Sequence, residues 1–150
     1  MTMPTANPDV AHEVAHALPQ RAARLSRLLY RAYEGDLSRT EASLLSTLSE
    51  GRRRITELAE LEGLAQPTVT VLVGKMEERG LVSRERDPQD GRVVLVQITD
   101  EGRAALERLR AQYRDVLQRR MASMTDKEVA ALRAATETLG ALLEALQQGD

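Results

Sequence analysis

The chain has 150 residues, 42% of them hydrophobic and 29% charged, with a net charge of −2; this is the make-up of one folded domain with a real core, not of a disordered segment or a broadly basic polyanion binder. There is no cysteine, so disulfides, thiolate metal sites and thiol redox sensing are excluded. Aromatic residues reach only 2%, with no Phe and no Trp, so the core must come from Leu, Val, Ile, Ala and Met, which favours helices.

Met1 to Pro8, with two prolines and little apolar content, is expected to be a loose arm. Met1 to Asp9 holds neither a basic start nor an apolar run, and no stretch approaches the ~18 apolar residues of a membrane span, so the expected location is cytoplasmic. From Asp9 to Tyr33, Val10, Val14, Leu18, Leu25, Leu28, Leu29 and Ala32 recur at helical spacing, interrupted by Pro19. Proline lacks an amide hydrogen and collides with the preceding turn, so two short helices or one kinked helix are both open. His12 and His16 sit four apart with Glu13 beside them, a conceivable metal pair. Without a third well-placed ligand, a polar helix face is the expected reading.

Gly35 and Asp36 are read as the end of that segment, and Ser38-Arg39-Thr40-Glu41 as a capping box. The helix it opens buries Leu44, Leu45 and Leu48 and stops at Gly51. Arg52-Arg53-Arg54 is read as a solvated surface run or a phosphate grip. Thr56 is expected to cap a short helix carrying Leu58, Ala59 and Leu61 and closed by Gly63. Pro67 then suits a first helical turn and Gly80 a left-handed stop. Between them Val69, Leu72, Val73 and Met76 share a core face, while Pro67, Thr68, Thr70, Val71, Gly74, Lys75 and Glu78 project from the other. Two short helices joined by a Gly-containing turn make a helix-turn-helix.

After Gly80 the period becomes two. Leu81 to Arg86 and Arg92 to Ile98 read as strands joined by Asp87-Pro88-Gln89-Asp90-Gly91, a hairpin with a charged tip. Val94, Val96 and Ile98 are expected to cover the helices, leaving Arg84, Arg86 and Arg92 facing outward. Thr99 can cap a helix from Asp100 toward Arg120, with Ala105, Leu106, Leu109, Tyr113, Val116 and Leu117 apolar. Thr125-Asp126-Lys127-Glu128 is a second capping box, and the last helix spaces Val129, Leu132, Thr136, Leu139, Leu143 and Leu146 as a narrow seam made to pack on another helix.

Four segments in order resemble the MarR family of winged-helix transcriptional regulators: Pro67-Thr68-Val69-Thr70, Glu78-Arg79-Gly80-Leu81-Val82, Asp87-Pro88-Gln89-Asp90-Gly91-Arg92 and Ile98-Thr99-Asp100-Glu101-Gly102-Arg103. The fold class implied is mainly α with a small β-hairpin wing, a winged helix-turn-helix flanked by N- and C-terminal dimerisation helices. As a single domain over 1–150, its DNA-binding lobe would span about 36–99 and its helical dimerisation region about 9–34 and 100–147. The resemblance favours one long first helix. It implies a homodimeric regulator of double-stranded DNA, a repressor on a pseudo-palindromic operator, released by a small aromatic or phenolic effector near Tyr30, Tyr33 and Tyr113.

Gln66, Pro67, Thr68, Thr70, Val71 and Lys75 are the expected major-groove set, since Gln pairs with an adenine edge, Thr meets a thymine methyl and Lys reaches guanine or phosphate. Arg84 and Arg86 are expected at phosphates and Arg92 in the minor groove, with Asp90 holding it. Two positions depart from the family pattern: Val71 stands where Arg is common, and Ala65 where Ser or Thr commonly caps the helix. A winged helix used only as a protein-interaction module is the rival reading, but it has no need of three arginines on one hairpin. No catalytic constellation, metal or cofactor motif can be assembled from these residues, which argues against an enzyme.

Overall fold

The computed structural model describes residues 6–149; Met1 to Thr5, most of the expected arm, lie outside them. In chain order come α1 (Pro8–Arg31), α2 (Arg39–Ser49), β1 (Arg53–Arg54), α3 (Ile55–Glu62), α4 (Gln66–Glu78), β2 (Val82–Arg86), β3 (Val94–Ile98), α5 (Asp100–Met121) and α6 (Asp126–Gln148). The chain divides after Tyr113 into two compact units.

In the first unit, Asn7 caps α1 by accepting the Asp9 amide at 3.0 Å, and Pro8 takes a first-turn position where its missing donor costs nothing. The helix runs through Pro19 without a break, so the one-helix alternative holds. It ends at Arg31, before the expected Gly35. Ser38 and Glu41 form the expected capping box: the Ser38 amide donates to Glu41 Oε2 at 2.8 Å and the Glu41 amide to Ser38 Oγ at 3.2 Å. The helix behind it buries Leu44, Leu45 and Leu48 completely.

Three local expectations change. Arg53 and Arg54 form strand β1, paired antiparallel with β3 as Arg53↔Val96 and Arg54↔Leu95, so the hairpin is part of a three-stranded sheet of order β1-β3-β2. A two-residue strand of arginines has no apolar pattern; only its partner makes it one. Thr56 does not cap α3, which starts at Ile55; instead the Glu57 carboxylate accepts the Arg54 amide at 2.6 Å. Leu61, expected on the buried face, is exposed.

The core joins Leu37, Leu44, Leu45, Leu48, Leu58, Val69, Val73, Met76, Val82, Val96 and Ile98 with Ala105, Leu106 and Leu109 of α5. Each fully buried aliphatic side chain contributes about 1.5–3 kcal/mol over an exposed one, so this cluster dominates the unit's stability. α4 ends as expected at Gly80, whose φ of 73° is the left-handed region. There the Gly80 amide donates to Glu77 O and the Leu81 amide to Met76 O, both at 2.9 Å, which closes the helix and turns the chain into β2. Thr99 caps α5 by accepting the Gly102 amide at 3.0 Å.

In the second unit the Thr125–Glu128 box opens α6. No residue of α6 is buried, and Val129, Leu132, Leu142, Leu143 and Leu146 are all exposed. α1 likewise has no buried residue and exposes Val10, Val14, Leu25 and Leu28. Among the described residues no helix is long and apolar enough to cross a membrane.

Candidate nucleic-acid interface

Val69, Val73 and Met76 anchor α4 at zero exposure, with Leu72 half-buried beside them. That anchoring turns Gln66, Pro67, Thr68, Thr70, Val71, Lys75 and Glu78 to solvent, as the helical period predicts. Val71 is 59% exposed, an unusual place for a β-branched apolar side chain unless something covers it. Ala65 gives no side-chain cap, so first-turn amides of α4 are left to an outside acceptor. Thr70 Oγ1 donates to Gln66 O at 3.0 Å, which commits its hydrogen and leaves its lone pairs and methyl group outward. Pro67, Thr68, Val71 and Lys75 face Ser38 and Thr40 of the α2 start across an open groove of about 580 Å³.

The wing corrects one step of the sequence reading. β2 and β3 pair as Val82↔Ile98, Arg84↔Val96 and Arg86↔Val94. Directly opposed residues share a face, so Arg84 stands on the same side as the buried Val82 and Val96, and Arg86 on that side further out, opposite Val94, which is 40% exposed and does not cover the helices as expected. The reverse side carries Glu85, which accepts from Gln97 Nε2 at 2.6 Å, and the buried Leu95 beside Arg54 and Asp87. Being nearer the helices, Arg84 meets α4: its Nε lies 3.4 Å from Glu77 Oε1, and its amide donates to Glu77 Oε2 at 3.1 Å. Arg86 Nη1 reaches Gly91 O at 3.4 Å.

At the tip, Asp90 Oδ1 accepts the Arg92 amide at 3.1 Å, and the Val93 amide donates to Asp90 O at 3.0 Å. Asp90 therefore fixes Arg92 through its backbone. Among the described residues no ion pair holds the Arg92 guanidinium, which is left in solvent. Asp87 closes the wing base by donating its amide to Val93 O and by an ion pair with Arg54 at 3.8 Å. Arg54 thus ties β1 to the wing.

Sequence reasoning missed a second tie. Arg79, just past α4, places Nη1 2.7 Å from Glu41 Oε1 and Nη2 2.9 Å from Asp36 Oδ2. Burial pushes the Glu41 carboxyl up, yet the Ser38 amide and the Arg79 guanidinium outweigh it and hold it below the usual carboxylate range. The Glu41 side of the capping box is a visible signal, but its pairing across the fold is not.

Two of the three tyrosines come together. Tyr30 and Tyr113, with Ser26, Arg39, Ala42, Ser43, Ser46, Leu106, Leu109 and Arg110, line a cavity of about 420 Å³. The Arg39 guanidinium stacks 5.0 Å from the Tyr30 ring centre, and Arg110 Nη2 donates to Ser46 Oγ at 3.3 Å. Burial raises the Tyr113 phenol, opposed by Arg39. Tyr33 packs against the core with its ring 6.0 Å from Tyr30, and its hydroxyl accepts the Leu37 amide; it does not line the cavity. His12 and His16 are exposed on α1, and among the described residues no three His, Asp or Glu gather to hold a metal.

A recognition helix anchored on one face, a preceding short helix and a braced hairpin define a winged helix-turn-helix. The profile of the MarR family matches residues 37–94. An HTH-type transcriptional regulator of Mycobacterium tuberculosis is 31% identical over 138 residues, 91% of this chain and 96% of that one. The HTH-type transcriptional repressor IacR of Pseudomonas putida is 33% identical over 96 residues, 64% of this chain and 58% of its own. A MarR family protein of Bacillus stearothermophilus shares the fold with a TM-score of 0.71 at 26% identity, covering 93% of this chain and 99% of its own. The repressor CouR, solved on a 23-mer DNA duplex, has the same fold at a TM-score of 0.61 and 23% identity, covering 92% and 99%. The chain belongs to the MarR family: it is a DNA-binding transcriptional regulator, not an enzyme.

Proposed function

We propose that this regulator is a cytoplasmic repressor that acts as a homodimer on a pseudo-palindromic operator and is released by a small aromatic or phenolic acid. The observation that carries the DNA reading is the outer face of α4, where Gln66, Thr68, Val71 and Lys75 stand exposed beside a wing tip whose Arg92 is fixed by its backbone and unpaired at its head. Gln66, Thr68, Thr70 and Lys75 read base edges in the major groove, Val71 meets a thymine methyl, and Pro67 sets the helix start. Arg86 meets phosphate. Arg92, oriented by Asp90, enters the minor groove, where A·T-rich sequence concentrates negative potential.

The dimer rests on the apolar residues that α1 and α6 leave exposed, which a second copy would cover. The effector reading rests on the cavity of Tyr30 and Tyr113: two rings for stacking, with Arg39 and Arg110 as cations for a carboxylate. Footprinting on the DNA upstream of its own reading frame tests the proposal. The expected pattern is two half-sites about one turn, ~10–10.5 base pairs, apart, with wing protection outside each. Arg92→Ala should weaken that binding by roughly 1–3 kcal/mol while the melting temperature stays put. A single asymmetric half-site, or wild-type affinity in the variant at moderate salt, would overturn the arrangement.

A further inference from the structure

Arg84 differs from Arg86 and Arg92 in being held by the recognition helix itself. β2 is an edge strand, and the Arg84 amide points off its open side, where a sheet leaves donors unpaired. The Glu77 carboxylate fills that vacancy with one oxygen and takes the Arg84 Nε with the other. Gly74, one turn earlier on α4, lies against the guanidinium: a Cβ built there would stand 3.2 Å from Arg84 Nη2, a tight contact that a shift of the side chain by a few tenths of an ångström would relieve. The small-residue position expected to let the helix lie close against a groove is therefore met by the protein's own Arg84 side chain. Arg84 is also 36% exposed at its side chain and Glu77 42%, so the pair sits at the surface where helix and wing diverge.

We propose that Glu77 and Arg84, seated over Gly74, form a strut that sets the spacing of the wing from the recognition helix, so that Arg84 is a positioning residue for DNA binding and not a phosphate contact. A wing and a helix must enter neighbouring grooves together, and an error of a few ångströms at the hairpin base is carried to Arg92 at its tip. An arginine already neutralised by a carboxylate attracts phosphate weakly, and the same carboxylate repels phosphate directly. Glu77 on a DNA-reading helix is costly on its own. Its place is explained by the strut.

The geometry stands independently of the proposed operator binding, while the consequence for affinity rests on that reading; the test has one arm for each. In the DNA-free protein, amide ¹⁵N relaxation of residues 87–93 is compared among wild type, Glu77→Ala, Arg84→Ala and the double variant. The strut predicts that each single variant loosens the wing and that the double is no looser than either. An unchanged wing in both singles overturns it, whether or not the protein binds DNA.

In the second arm, operator affinity is measured against salt concentration. Both single variants should bind roughly twofold to fivefold more weakly, the scale of a surface ion pair, with the double no weaker than the worse single and all log–log salt slopes matching wild type. Tighter binding by Glu77→Ala, together with a slope lowered by up to about 1.8 in Arg84→Ala, would make Arg84 a phosphate contact in each half-site and overturn the proposal. Failure of wild type to protect any DNA would instead remove the proposed operator binding and leave the relaxation arm to decide the strut.

Discussion

Helices α2 and α6 open with the same device and end in different situations. Ser38 and Glu41 cap one, Thr125 and Glu128 the other, with nearly equal reciprocal hydrogen bonds. Yet α2 buries Glu41, Leu44, Leu45 and Leu48, whereas α6 buries nothing. The capping acid of α2 is taken up by Arg79 and so ties the end of the recognition helix to the start of α2; the capping acid of α6 serves its own helix alone. Capping decides where a helix begins. What the helix then does is decided by which side chains find partners, and within its own unit α6 buries none.

The largest effect should separate the two helices by stability. Leu48→Ala removes a side chain at 1% exposure from a closed core and should cost about 2–5 kcal/mol in denaturant unfolding. Leu143, 52% exposed, has no such cavity to leave, and its alanine variant should stay within about 0.5 kcal/mol when measured at concentrations where the protein is monomeric. Equal losses in the two variants would erase the distinction between a helix completed within the chain and one addressed to another surface.

The next effect concerns association. Leu143→Asp places a charge on an exposed apolar seam, so the isolated chain should fold normally while self-association is lost in sedimentation velocity. Operator affinity should fall with it, because two half-sites are then bound independently. A variant that sediments as wild type with undiminished DNA affinity places the dimer contact elsewhere.

What could be read from the sequence follows the same division. Caps, stops and core faces were legible because they depend on residues within one turn of each other: Pro67 and Gly80 bound α4, and Val69, Val73 and Met76 declare its buried side. The tyrosine cavity was half legible, since Tyr30 and Tyr113 line it, but Tyr33 turns to the core. Strand β1 was not legible, because Arg53 and Arg54 become a strand only through β3. Nor was the sheet face of Arg84 and Arg86 given by alternation, although both are exposed as expected. Alternation fixes which residues share a face along one strand, but the register with β3 fixes which face that is, and Arg84↔Val96 puts the arginine on the helix side. The ties from Arg79 and Arg54 join residues distant in sequence, and that from Arg84 reaches back seven residues across the turn at Gly80; in none of them does charge composition alone choose the partner.

The smallest effect is the one most specific to the comparison. Glu41 is held below its ordinary value of 4.5: burial works against its charged form, but the Ser38 amide and Arg79 prevail. A carboxylate depressed in the folded state binds its proton more readily when unfolded, so its contribution is complete above about pH 4.5 and is lost as the pH falls through the lower folded value. Glu41→Gln should therefore cost about 1–2 kcal/mol at neutral pH, the scale of a hydrogen bond to a charged group, and the gap to wild type should close on acidification below that point. Glu128 is depressed too, chiefly by the Thr125 amide, but it is fully exposed and braces no second element. Glu128→Gln should leave the winged-helix unit and its operator affinity unchanged at neutral pH, while Glu41→Gln weakens both, because Arg79 then loses the partner that holds the end of α4. Melting curves and operator titrations of the two variants, taken at neutral pH and again near pH 4, make the check. If the two substitutions act alike, or if the Glu41→Gln deficit persists unchanged in acid, the capping acid of α2 is no more than a cap.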